Sequence, residues 1–425
     1  MISINTKENK FRELLSENLD FKGINSVYSS HGLHAFAAKF PPQLPRMFIE
    51  NLTQEGDIVL DPMVGSGTTV VESCLLNRQG IGIDLDPLAV HLSKVKVTPI
   101  NPEDISIALN EITNSLKYLY LGTNTVRNEL NKRFDSETRD FIDYWFLPKT
   151  QEELMTLVLV VENLTDETTK NFFKLLFSSI IITKSGGVSL ARDLAHTRPH
   201  KDKFKKPVNS VDTFINKAQK FICNKNMFFP NGGTSFLMRG DARCIPISPN
   251  TVDLIVTSPP YSNAIDYMRA HKFSLIWFGK ALSELRELRS KYIGAERASD
   301  FKNDGLPPSV VELIDKLINI NRIKGKILGK YFADMKLVVG EMYRVLKTGA
   351  CSVIVVGNSK MAGMDVKTHD GICSIAKDIG FKIVKVGIRN LDRDKRMLPA
   401  YLRKSNDKGI TNRIHEEYII GLIKE

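Results

Sequence analysis

The 425-residue chain has no long apolar run. Its longest unbroken stretch is Leu157 to Val161, against the roughly 20 residues that a membrane-spanning helix needs. A membrane bundle is therefore excluded. The opening decapeptide, Met1 to Lys10, is polar and lacks the apolar core of a secretory signal, so a cytoplasmic protein with no membrane partner is expected. Cysteine is sparse: Cys74, Cys223, Cys244, Cys351 and Cys373 are odd in number, and none lies within four residues of another. Neither zinc-ligand spacing nor a disulfide framework follows. His196 and His200 stand four apart, but Pro199 argues against a helix there and no third ligand is evident, so no metal is expected. Internal repeats and low-complexity segments are also lacking.

The residues present are those of a folded domain. Hydrophobic residues make up 42% and charged ones 25%, which excludes a mostly disordered or collagen-like chain. Lys plus Arg number 59 against 48 Asp plus Glu, a formal charge of +11. That surplus favours an anionic partner such as nucleic acid.

The order of elements indicates an α/β fold. Ile58-Val59-Leu60 reads as a short buried strand ending at Asp61-Pro62. Gly65-Ser66-Gly67 bends the chain into a helix from Thr68 to Leu76, and Gly80 to Ile83 forms a second strand ending at Asp84. Strand, glycine turn, helix and strand make a right-handed βαβ unit. Residues 101–230 then read as mainly helical. Strand-like sequence resumes at Ser235–Arg239, Val252–Val256, Ser352–Val356 and Lys382–Val386, with a less clean strand at His415–Ile423. The expectation is one doubly wound, Rossmann-like sheet with two mainly helical insertions. Residues 1–100 and 231–425 form the sheet domain, 101–230 the first insertion, and about 264–345 the second.

Two segments carry chemistry. Asp61-Pro62-Met63-Val64-Gly65-Ser66-Gly67-Thr68-Thr69 follows a strand and opens a helix, so its backbone can approach a ligand closely. It lacks the Gly-Lys-Ser/Thr ending of a triphosphate loop, and Val70 stands where the dinucleotide fingerprint has its third glycine. Asp61 suits a ligand with a positive amino group. Asp84 ends the next strand, where a carboxylate can accept from both hydroxyls of a ribose. The second segment, Thr257-Ser258-Pro259-Pro260-Tyr261, leaves the strand Val252–Val256. Its prolines cannot continue a sheet ladder, so they stiffen a loop that presents a hydroxyl, a carbonyl and an aromatic face. In a doubly wound sheet the first and fourth strands are neighbours at the switch point, which brings the two segments to one crevice.

These two segments resemble the signature motifs of the S-adenosylmethionine-dependent amino-methyltransferases of DNA, which modify the exocyclic nitrogen of cytosine or adenine. Asp61 to Thr68 is similar to that family's cofactor loop, with Met63 where Phe is usual, and Ser258 to Tyr261 is similar to its catalytic tetrapeptide. The resemblance implies S-adenosyl-L-methionine as cofactor, held by Asp61, Pro62, Gly65, Ser66, Gly67, Thr68 and Asp84. It adds Phe40, from Lys39-Phe40-Pro41-Pro42, and Asp241, from Gly240-Asp241-Ala242, as cofactor contacts. It implies Ser258, Pro259, Pro260 and Tyr261 as catalytic, with Tyr261 stacking an extruded base. A serine at the first tetrapeptide position is typical there of cytosine-N4 enzymes, with adenine N6 the alternative on the same scaffold. Cytosine C5 chemistry is not implied, because no cysteine here follows a proline.

Double-stranded DNA is the implied partner, and a cognate restriction endonuclease follows from the resemblance alone. The basic run Arg192 to Lys206 suits phosphate contacts, which nominates Arg192, Arg198, Lys201 and Lys203; Arg322 to Lys330 is a second candidate. A catalytically silent DNA-binding subunit is the reading from another class, and the intact tetrapeptide argues against it.

Overall fold

The computed structural model describes the chain except residues 1–3, 37–38, 120–122, 184–185, 193, 195–198, 225–228, 231, 263–265, 295–304, 358 and 392–414. Seven strands form one sheet: β1 (Ile58–Asp61), β2 (Gln79–Asp84), β3 (Thr234–Arg239), β4 (Val252–Thr257), β5 (Leu346–Gly357), β6 (Phe381–Asn390) and β7 (Glu416–Lys424). Their spatial order is β3-β2-β1-β4-β5-β7-β6. The pairs among β3, β2, β1, β4 and β5 are parallel, while β7 runs antiparallel to both β5 and β6. The chain reverses direction across the sheet between β1 and β4, which is where crevices form in such folds.

Both faces of this sheet are covered, as a mostly parallel sheet requires. On β5, Val353 and Val355 point into one core with α1 (Ile4–Leu14) and α2 (Gln43–Leu52). Ile354 and Val356 point into the other, the period-two alternation of a strand. That second core is filled by α13 (Pro308–Ile320), α14 (Arg322–Val345) and α15 (Thr368–Ile379). The helix after β1, α3 (Thr68–Leu75), begins at Gly67, whose φ is +77°. A Cβ there would lie 2.8 Å from Ser93 Oγ on α4 (Pro87–Val97), so the close crossing of α3 and α4 needs glycine.

A separate core forms beside the sheet. It comprises α5 (Pro102–Leu119), α6 (Thr123–Arg133), α7 (Ser136–Trp145), α8 (Pro148–Glu162), α9 (Glu167–Ile181) and α10 (Ser210–Ile222), packed around Phe172, Phe173 and Phe177. The stretch 264–345, expected as one helical insertion, divides between the two cores. Phe273, on α11 (Met268–Leu275), and Leu285, on α12 (Leu282–Ser290), join the helical core along with Trp277 between them. Tyr331, Phe332 and Met335 of α14 instead pack on the sheet. Helical periodicity reveals an apolar stripe but not the surface it covers. Among the described residues, no helix is long and apolar enough to cross a membrane.

Candidate active site

Strand ends build the site. β1 stops at Asp61, β2 at Asp84 and β4 at Thr257, one residue before Ser258, while β3 stops two residues before Asp241. Because these four strands are adjacent and parallel, their carboxyl ends open into one cavity. Of the residues nominated from sequence, Phe40, Asp61, Pro62, Gly65, Ser66, Thr68, Asp84, Asp241, Ser258 and Pro260 line it.

The glycine turn is held from several sides. Gly65, at φ +46°, donates its N–H to Asp84 Oδ2 at 2.9 Å, and Asp84 Oδ1 accepts from the Asp86 N–H at 2.9 Å. Burial, then the charge of Asp86, pushes the Asp84 carboxyl up to about 7. Asp61 is 2% exposed, and burial pushes it up to about 6 despite hydrogen bonds from Thr257 and Met63. Behind the turn, the fully buried Lys96 donates to the Ser66 carbonyl at 2.6 Å, and burial holds its ammonium well below the usual lysine range. Gly67 is not a lining residue; its lack of a side chain leaves the room that Ser93 occupies behind the turn.

Direct bonds join the glycine turn to the tetrapeptide strand. Thr257 Oγ1 donates to Asp61 Oδ1 at 2.7 Å, and Thr69 Oγ1 donates to the Val256 carbonyl at 3.0 Å. The only sequence signal for the first bond is a hydroxyl one residue before Ser258. Thr257→Val keeps the shape but leaves the buried Asp61 short of a donor. The expected result is a stability loss of about 1–3 kcal/mol and weaker cofactor binding, read by thermal melting and calorimetry. Unchanged values in both would show that the tie is dispensable.

Pro259 and Tyr261 are not among the lining residues. Pro259 is buried. Tyr261, expected as a stacking face, is 9% exposed and does not line the cavity. Its hydroxyl donates to Glu417 Oε1 on β7 at 2.8 Å, and Glu417 pairs with Arg389 on β6. The ring lies against Gly357 at the end of β5, where a Cβ would come within 2.5 Å of Cε2. Burial, then the Glu417 charge, keeps the phenol well above its ordinary value, so it remains a neutral donor.

Asp241 lines the cavity, but Arg243 Nη2 and Nε hold its carboxylate at 2.7 and 2.9 Å. Burial raises this carboxyl, and the Arg243 bonds outweigh it, leaving it below the ordinary range. Arg198 lies outside the described residues. Arg192 is paired with Asp202 at 2.6 Å, Lys201 sits 4.2 Å over the Tyr144 ring and Lys203 is exposed; none of the three lines the cavity.

Several lining residues were not nominated from sequence. Phe36 stacks on Tyr267 with ring centroids 5.3 Å apart and would touch a Cβ on Gly65 at 3.3 Å. Asp266, Tyr267, Arg289 and Tyr292 reach the cavity from the segment around α11 and α12. No motif announces them, because only tertiary packing brings them to the strand ends.

Residues 3–95 match the N6/N4 methylase family, described as DNA methylase. Type II methyltransferase M.BsoBI of Geobacillus stearothermophilus is 24% identical, over 85% of this chain and 80% of that one. Type II methyltransferase M.MvaI of Kocuria varians is also 24% identical, over 85% and 84%. Type II methyltransferase M.BglI of Bacillus subtilis is 48% identical over 60 residues, 14% of this chain and 17% of that one. Among solved structures, a SAM-dependent methyltransferase from Methanosarcina mazei is 9% identical, over 89% of this chain and 96% of that one, with a TM-score of 0.32.

Proposed function

We propose that this chain, which belongs to the S-adenosylmethionine-dependent DNA amino-methyltransferases of the N4/N6 family, methylates the exocyclic N4 of cytosine in double-stranded DNA. The observation that carries the reading is one cavity lined by Ser258 and Pro260 on one side and by Asp61, Gly65, Ser66 and Asp84 on the other.

The residues present fit the cofactor. Asp84 ends β2 as an acceptor for ribose hydroxyls, Asp61 offers buried negative charge, and the Gly65 turn brings backbone against the cavity. Phe36 and Phe40 supply apolar surface. When bound, S-adenosylmethionine supplies an electrophilic methyl group on a sulfonium. The chain's own work is on the base. A cytosine amino group is a poor nucleophile because its lone pair is delocalised into the ring. The Ser258 hydroxyl and the Pro259 carbonyl accept its two hydrogens, which draws the nitrogen towards a tetrahedral arrangement and frees the lone pair. Proline on both sides of that carbonyl's peptide unit fixes its direction, so positioning and preorganised dipoles supply the acceleration. Extruding the base costs a few kcal/mol.

Ser258 at the first tetrapeptide position is what supports cytosine over adenine. The type II relatives support a role beside a cognate restriction endonuclease. Incubation with labelled cofactor and plasmid DNA, followed by nucleoside mass analysis, is expected to yield N4-methylcytosine. N6-methyladenine would reassign the base, and no labelled nucleoside at all would overturn the reading.

A further inference from the structure

Two residues that line the cavity each carry a buried polar atom with, among the described residues, no hydrogen-bond partner: Asp266 Oδ1 and the Tyr292 hydroxyl. Leaving either unpaired is costly, and buried polar groups in folded chains are nearly always satisfied. The other oxygen of Asp266 is fully engaged: Oδ2 accepts from Arg269 at 3.0 Å and from Arg289. These two guanidinium groups hold the carboxylate in place while Oδ1 stays bare. Tyr292 stands two residues after α12, just ahead of Ile293 and Gly294 at the cavity wall.

The surroundings indicate which part of a ligand these atoms meet. The charges acting on the Tyr292 phenol are those of Asp86, Asp84 and Asp266, and the charge acting on neighbouring Tyr267 is that of Asp84. The Tyr292 hydroxyl lies near Asp86 without reaching hydrogen-bond geometry, while Asp86 Oδ1 accepts from the Leu88 N–H at 2.8 Å and Oδ2 meets His271 Nδ1 at 2.5 Å. Both orphan atoms therefore stand at the β2 end of the cavity, beside the carboxylate assigned to the ribose. The nucleoside half of S-adenosylmethionine has hydroxyl and amino hydrogens to give to Asp266 Oδ1, and oxygen and ring-nitrogen acceptors to take the Tyr292 proton.

We propose that Asp266 and Tyr292 bind the nucleoside half of the cofactor, on the same side of the cavity as Asp84. The assignment rests on the proposed function, and it makes the segment after the tetrapeptide part of the cofactor site. In sequence Asp266 follows Tyr261 by five residues, so one continuous stretch would contact the target base at its start and the cofactor at its end.

Calorimetric titration of the full chain with S-adenosylmethionine and with 5′-methylthioadenosine, which keeps the nucleoside and lacks the amino acid, tests this. Tyr292→Phe keeps the ring and removes only the hydroxyl, so it is the decisive variant; Asp266→Asn also disturbs two ion pairs. Each is expected to weaken both ligands by the same factor, roughly tenfold or about 1.4 kcal/mol. Unchanged affinities in Tyr292→Phe overturn the proposal. So does a loss confined to S-adenosylmethionine, which would place these residues on the methionyl half. Failure of methylthioadenosine to bind the wild-type chain also counts against it, by denying the nucleoside a grip of its own. A wild-type chain that does not bind S-adenosylmethionine would instead sink the parent reading.

Discussion

Asp84→Asn is expected to weaken cofactor binding about 100-fold at pH 8, some 2.7 kcal/mol, while making the unliganded protein more stable at that pH. The two effects have one origin. Burial and the neighbouring Asp86 raise this carboxyl to about 7 from an ordinary 3.8. In the unfolded chain it ionises near 3.8; in the folded chain it keeps its proton until about 7. Its contribution to stability is therefore fully present below the unfolded value and is lost as pH rises through 7. At 1.36 kcal/mol per pH unit the difference approaches about 4 kcal/mol. Water at the cavity mouth reduces that, and so does the amide N–H₂ that asparagine would turn towards one of the two backbone donors. A gain of about 2 kcal/mol at pH 8 is the expected net result, shrinking towards pH 4.

The same carboxyl sets a pH dependence of binding. In the proposed ribose-binding role only the ionised form accepts from both hydroxyls, so wild-type affinity should fall by up to about tenfold per pH unit below 7 and level off above it. Asp61, raised to about 6, adds to the fall at lower pH. In Asp84→Asn the upper part of this dependence should vanish. Affinity that is flat between pH 6 and 8 in the wild-type chain would show that Asp84 does not bind the ribose.

Gly357→Ala is expected to cut methyl transfer about 100-fold while leaving cofactor affinity within about twofold. A Cβ at this position meets Tyr261 Cε2 at 2.5 Å and Cδ2 at 2.8 Å, so the ring must shift. It is anchored at its far end by Glu417, itself 7% exposed and paired with Arg389. The shift therefore passes into Pro260 and Pro259, and a displacement of about 1 Å in a reacting group is enough for such a loss. The cofactor side is tied through Thr257 and Asp61 instead, and stays in place. Tyr261→Phe separates two roles for the tyrosine. If the ring stacks an extruded base, Phe retains most activity and Ala does not; if the Glu417 bond is what positions the loop, Phe loses nearly as much as Ala. Full activity in Gly357→Ala would show that Tyr261 can move without consequence.

Much of this architecture is legible in the residues. The βαβ unit around Gly65 and Gly67 is local: strand, positive-φ turn and helix are contiguous, and each has its own chemical signature. The meeting of Asp61 with Ser258 is legible because strand adjacency at a switch point follows from topology. Other features were not accessible in this way. That α13 and α14 lie on the sheet while α11 and α12 join the helical core depends on which apolar stripe meets which surface, and all four helices have similar stripes. Asp241 is nominated by the resemblance of its Gly-Asp-Ala turn, but its engagement by Arg243, and that of Arg243 by Asp334 at 2.8 Å, are side-chain choices made after the backbone is in place. Phe36, Asp266 and Tyr292 stand in ordinary sequence and acquire their position only from packing.

The strand that carries Glu417 is inserted between β5 and β6, and it is made after every other strand of the sheet. Until residues 416–424 take their place, β5 and β6 have nothing to join them and Tyr261 has no anchor. The tetrapeptide therefore takes its final position only when a contact between residues 156 apart in sequence has closed.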